Sequence, residues 1–434
     1  MRLLHAASLS LLLTSGVACR SSSAPASGPT LAEARALALT APAGDAPVDR
    51  DIVRLQERIR RMPAADDWVL LGQAWIQKAR RAADPGLVLA AEGASIAALD
   101  MVPAHRGALG VRALALLDQH RFAAAREQAR SVLSRHPDDL MSLMVLSDAA
   151  LEMGDVAAAR EAAQLLVDLK PGLPSYGRAA HLRWVTGDVS GAKLLYARAI
   201  EAGRGGRDPE PLAWMMVQAA LVFWAEGDLD GALAGVREAR SLVAGYAPAL
   251  VLEARCRLAR GEEKDAVRLL EEAERAQPLV ETRWLLADAS RAAGDLTAAE
   301  SVEARLVRQG LQADPLMLGM FLTARGRALP EALRLLEAEH RARPGVAVED
   351  AYAWALFRAG RLAEARAAID RAAAHGTPDP RLLYHAGAIR LAGSAPEEGR
   401  ALVRRALELN PHFDAAAAAE ARALLGSDRE ARRP

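Results

Sequence analysis

The sequence predicts an all-α array of stacked helix pairs, and three observations carry that prediction. Pro103, Pro137 and Pro171 stand 34 residues apart, and the stretches between them repeat one pattern of apolar, turn and small residues. Self-similarity at such a period marks a chain that uses one supersecondary unit many times over. Alanine and leucine dominate while aromatic residues make up 4%, which favours helix over strand. A chain of 434 residues is also long for one compact core, yet a stack whose units touch only their neighbours has no such ceiling.

Composition narrows the function classes. The chain carries 55 basic and 55 acidic residues, so no global field draws it to nucleic acid or to an anionic membrane, and nucleic acid is not an expected partner. Four lysines (Lys78, Lys170, Lys193, Lys264) stand against 51 arginines, and Asn410 is the only asparagine, which reads as a GC-rich genome. Two cysteines, Cys19 and Cys256, cannot make a disulfide framework. Cys256 reads as a buried apolar cysteine.

Taken in order, residues 1–18 have the layout of a secretory signal peptide, with Arg2 and His5, the apolar run AASLSLLL and small residues before Cys19. Gly16-Val17-Ala18-Cys19 resembles the bacterial lipobox. That resemblance implies lipidation of Cys19 as the mature N-terminus and attachment to the cell envelope. Arg20 follows, not Asp, which implies an outer-membrane lipoprotein facing the periplasm, with a secreted or periplasmic protein as the alternative. Residues 19–50 read as a flexible tether that opens with SSSAPASGP. Within it, Thr30 to Leu39 is a short candidate helix with Thr30 as cap and Glu33 completing a capping box.

Residues 51–202 read as a first array of repeats. Gly203 to Pro211, GRGGRDPEP, then breaks the period as a hinge, and residues 212–413 resume it. Ala125, Ala159, Ala232, Ala266 and Ala365 recur at one place in the unit, where a larger side chain would wedge two helices apart. Gly154, Gly227, Gly261 and Gly360 mark the turn within each unit, and proline ends the second helix. Gly399 replaces the small Ala in the last unit. Residues 414–434 supply a capping helix, predicted from Asp414 to Leu425, and a tail.

These residues resemble the tetratricopeptide repeat (TPR) family, most plainly where Trp68, Leu71, Gly72 and Trp75 match the marks of its first helix. The resemblance implies a right-handed α-solenoid of stacked TPR helix pairs, with a concave groove lined by first helices that receives an extended peptide or a helix. Carried onto this chain, the groove positions are Met141, Met144, Trp214, Val217, Leu221, Trp224, Trp354, Phe357, Arg381 and Tyr384. A mostly apolar set of this kind suits a hydrophobic or amphipathic segment. The competing reading of the same Trp and Met residues is ordinary core.

No catalytic constellation has supporting context. Ser190-Gly-Ala-Lys193 has an S-x-x-K spacing without companion motifs, and Gly203 to Arg207 lacks the G-K-[ST] ending of a phosphate loop. The histidines show no metal-ligand spacing, and the pairs Asp66-Asp67, Asp138-Asp139 and Glu262-Glu263 fall at helix starts. The expectation is a non-enzymatic scaffold that binds a protein or peptide, holds no cofactor or metal, and is tethered to a membrane by a lipid. The alternatives are a self-assembling solenoid, with the groove filled by residues 30–39 or by another copy, and the regulatory subunit of an envelope enzyme.

Overall fold

The computed structural model describes residues 29–82, 84 and 86–431, and among them every regular element is a helix. The chain divides into two compact units, residues 1–170 and 171–434. The signal segment and Cys19 lie outside the described residues.

Unit 1 opens with α1 (Leu31–Ala38) and α2 (Pro47–Arg61). Three helix pairs follow: α3 (Ala65–Ala82) with α4 (Gly86–Met101), α5 (Arg106–Asp118) with α6 (Phe122–Leu133), and α7 (Leu140–Glu152) with α8 (Val156–Leu169). The capping box at Thr30 and Glu33 forms as the sequence requires. The residues expected as a tether are, from Thr30 onward, part of the fold. Ala34 and Ala38 are fully buried, and α1 lies so close to α4 that a Cβ on Gly93 would strike the Ala34 carbonyl. The loop after α1 is pinned too. Trp75 Nε1 donates to the Ala38 carbonyl at 3.0 Å, Gln56 Nε2 to the Thr40 carbonyl at 2.8 Å, and Lys78 Nζ to the Ala43 carbonyl at 2.6 Å. Small side chains and satisfied carbonyls explain why this polar-looking stretch is ordered. The partner of α1 is a second helix, α4, and not the first-helix face that carries Met141 and Met144.

Unit 2 contains seven pairs: α9 (Leu173–Val185) with α10 (Val189–Gly203), α11 (Glu210–Ala225) with α12 (Leu229–Leu242), α13 (Ala247–Ala259) with α14 (Glu263–Ala276), α15 (Val280–Ala292) with α16 (Leu296–Ala313), α17 (Pro315–Ala324) with α18 (Leu329–Ala342), α19 (Val346–Arg358) with α20 (Leu362–Ala373), and α21 (Pro380–Leu391) with α22 (Pro396–Leu409). A final helix, α23 (Ala415–Ala431), packs on α21 and α22 and starts at Asp414, whose carboxylate accepts from the Ala417 N–H at 2.8 Å. The division between units falls at Lys170 and Pro171. The 203–211 break falls inside unit 2, where residues 204–209 link α10 to α11.

The local rules that build each pair are visible. Ala125, Ala159, Ala192, Ala232, Ala266, Ala299, Ala332 and Ala365 are all fully buried at the crossing of the two helices. In the last pair the approach is closer still. A Cβ on Gly399 would lie 2.7 Å from the Gly387 carbonyl, and one on Gly387 would lie 2.8 Å from the Gly399 carbonyl, so neither position tolerates alanine without a shift. After the turn, Asp155, Asp188, Asp228 and Asp295 cap the second helices, each carboxylate accepting from the N–H three residues on, at 2.8 to 3.1 Å.

Candidate functional site

The repeat period gives the first-helix positions expected to line a groove, and the structure places them in two settings. Val217 is fully buried, Tyr384 is 1% exposed, and Met144, Trp224 and Trp354 are also buried. Met141, Trp214, Leu221, Phe357 and Arg381 keep partial exposure. Met141 sits over Gly110 of the preceding first helix, where a side chain would collide with it.

Burial of the aromatic positions has a simple cause. Trp354 stacks on His385 with ring centroids 4.1 Å apart, Tyr384 lies 5.3 Å from Trp354, and Phe413 ahead of α23 lies 6.0 Å from Tyr384. The Tyr384 hydroxyl donates to Glu420 on α23 at 2.8 Å. The capping helix therefore covers Tyr384, and its neighbours close over Trp354. At these places the competing reading, core, describes the side chains. Trp224 and Val217 likewise belong to the core that α11 forms with α12 and α13.

Charge fills the same first-helix positions further along unit 2, and reading from residue types for an apolar groove misses it. Counting back six residues from the turn glycines Gly261 and Gly294 reaches Arg255 and Asp288, and Glu281 opens α15. Arg255 pairs with Glu281, and Arg325 pairs with Asp288. Arg325 also reaches Glu303 at 2.8 Å, and Arg291 reaches it at 2.9 Å. Asp350 accepts a hydrogen bond at 2.8 Å within its buried pair with His385.

Electrostatics tie these groups together across several repeats. Burial pushes the Glu281 carboxyl above its ordinary pKa, against the pull of Arg255 and Arg381. Burial does the same to Asp288, opposed by Arg325 and reinforced by the Asp414 carboxylate. Burial disfavours the Arg381 cation, but Asp379, Asp350, Asp414 and Glu281 together raise its pKa. Arg381 is thus the one predicted groove residue that stands amid this charge. The carboxylates that act on it come from α15, α19, the cap of α21 and the cap of α23. Among the described residues no group of three or more His, Cys, Asp or Glu side chains is arranged to hold a metal ion. No described helix is long and apolar enough to cross a membrane.

Comparison with known proteins bears on the fold. Residues 111–174 and 351–412 match the model of the tetratricopeptide repeat. No curated protein matches the chain in sequence. PilW, a type IV pilus biogenesis factor, is 15% identical, with a TM-score of 0.41 over 50% of this chain and 98% of its own. A tetratricopeptide repeat protein from Parabacteroides merdae is 15% identical, with a TM-score of 0.43 over 58% of this chain and 97% of its own. Yeast Tom70 is 15% identical, with a TM-score of 0.36 over 88% of this chain and 93% of its own. These are likenesses of fold.

Proposed function

We propose that the protein is a non-enzymatic scaffold whose first-helix face in unit 2 receives a segment of a partner protein. The observation that carries this reading is the mixed character of that face. Trp214, Leu221 and Phe357 stay partly exposed, while Arg255, Glu281, Asp288 and Arg381 occupy related positions on neighbouring first helices. An amphipathic segment answers both halves, with apolar side chains for the aromatic positions and polar groups for the ionic ones. Repeat stacks suit such a role because their successive first helices present one extended surface.

Full-length protein captured with its envelope partners, compared with a Trp214→Ala, Leu221→Ser double variant of unchanged circular dichroism, tests this reading. Loss of partners is the expected result, and identical partner lists would overturn it. Trp224 is left intact because it is 7% exposed and its removal would open a cavity in the core.

Anchoring belongs to the same proposal. Cys19 follows a lipobox-like Gly16-Val17-Ala18, and Cys256 is fully buried and so not a competing site of acylation. A lipid on Cys19 would hold the scaffold at the envelope, in the outer membrane facing the periplasm. Cys19→Ala should move the protein from the membrane to the soluble fraction, and membrane association that persists in this variant would remove the anchor.

A further inference from the structure

Units of a helical stack ordinarily touch only the unit before and the unit after. Unit 2 departs from that rule twice. Thr377 Oγ1 donates to the Val185 carbonyl at 2.6 Å, across 192 residues of sequence. Asn410 Nδ2 donates to the Trp224 carbonyl at 2.7 Å, across 186 residues. Both acceptors lie in the last turn of a first helix, α9 and α11, and the Trp224 carbonyl takes the Asn410 bond in addition to one from the Gly227 N–H at 2.9 Å. Both donors sit in the loop after a second helix, α20 and α22, and both side chains are buried.

Two glycines make the approach possible. Gly187 and Gly227 follow those acceptors in left-handed turns with φ of +82° and +75°. A Cβ at Gly187 would lie 3.0 Å from the Gly376 carbonyl, and one at Gly227 would lie 2.9 Å from the Leu409 carbonyl. The same contact is therefore built twice, at neighbouring repeats on each side. Asn410, the only asparagine in the chain, does two jobs: its Oδ1 accepts from the His412 N–H at 2.8 Å while its Nδ2 reaches Trp224.

We infer that unit 2 is latched on itself, with Thr377 and Asn410 fastening α9–α12 to α20–α23. The latch closes the ends of the stack against each other and sets the curvature of its first-helix face. Without it the stack would fray from its two ends, because terminal repeats have one neighbour each. With it, the ends are held by contacts distant in sequence and open together. This holds whatever partner the protein has.

Hydrogen exchange on the full chain at pH 7.5 tests the latch with a Thr377→Val, Asn410→Asp double variant. Thr377→Val keeps the β-branched shape and removes the donor. Asn410→Asp keeps the acceptor for His412 and removes the donor to Trp224. Amides of α9–α12 and α20–α23 should exchange at least about ten-fold faster, since the variant loses two hydrogen bonds and sets a carboxylate against the Trp224 carbonyl, while α13–α16 stay unchanged. The radius of gyration from small-angle scattering should rise in the same variant. Thr377→Ser, which keeps the hydroxyl, should retain wild-type protection. Wild-type exchange in the double variant would overturn the latch, and so would a uniform acceleration from α9 to α23.

Discussion

Burial decides the chemistry of single residues here. His181 on α9 is 3% exposed, and its Nε2 has no hydrogen-bond partner among the described residues. Loss of solvation alone depresses its pKa from 6.5 to about 4, so the folded protein keeps the imidazole neutral. The unfolded chain takes up that proton below about pH 6.5 and the folded one does not, so stability falls as pH drops from 6.5 towards 4. Buried Glu281 and partly buried Asp288 act in the opposite sense, since their raised pKa values make acid less damaging to the fold. A His181→Gln variant isolates the imidazole. Urea unfolding should show that it loses less stability than wild type across this window, by on the order of 3 kcal/mol at most. Equal losses in the two proteins would refute the assignment. Cys256 is the second case. It is fully buried, and burial pushes its thiol up to about 12. In a Cys19→Ala background, iodoacetamide at pH 8 should leave it unmodified until denaturant is added. Labelling of the native protein would show that the site opens.

Among elements, α1 gives the sharpest expectation. It lies flush on α4 only because Gly93 presents no side chain to the Ala34 carbonyl. Gly93→Ala must push the two helices apart, at a cost of about 1 to 3 kcal/mol by analogy with overpacked cores. Limited proteolysis should then cut between α1 and α2, where the wild-type loop is held by Trp75, Gln56 and Lys78. Resistance equal to wild type would mean that α1 is not held by this crossing. The same helix shows what a sequence can say and what it withholds. The Thr30 and Glu33 capping box announces the helix, because a cap is written within four residues. Its docking on α4 depends on one glycine far along the chain, and no periodicity encodes that. Second-helix alanines and the turn aspartates Asp155, Asp188, Asp228 and Asp295 are legible for the reason the box is: each is a local requirement that recurs from unit to unit. Gly399 departs from the alanine pattern because its partner position is Gly387, a pairwise fact invisible to a rule about one helix. For the candidate site, the period does place Arg255 and Asp288 on the same face as Leu221. Whether a position on that face is open or covered depends on its neighbours, which is why Tyr384 became core beneath α23 and Trp354 beneath Tyr384 and His385, while Phe357 did not.

At the scale of unit 2, the charge around Arg381 joins repeats that are far apart in sequence. Glu281 comes from α15, Asp350 from α19, Asp379 from the cap of α21 and Asp414 from the cap of α23. Removing the Arg381 cation leaves Glu281 with Arg255 and Asp350 with His385, but takes away a charge that favours the ionised form of the carboxylates around it. Loss of this cation should therefore destabilise the fold at neutral pH, where the neighbouring carboxylates are charged. Arg381→Met keeps much of the side-chain length and removes the charge, and Arg381→Lys keeps the charge and should recover most of the loss. The pH dependence separates electrostatics from packing. Glu281 already has a raised folded pKa, and Arg381 is one of the two cations holding it down. Taking Arg381 away raises it further, so the variant should lose stability as pH rises through the carboxylate range and regain it as pH falls. The deficit of Arg381→Met against wild type, read from urea midpoints at pH 7.5 and pH 5, should therefore shrink on acidification. A deficit of the same size at both pH values would assign Arg381 to packing and would dissolve the link from α15 to α23.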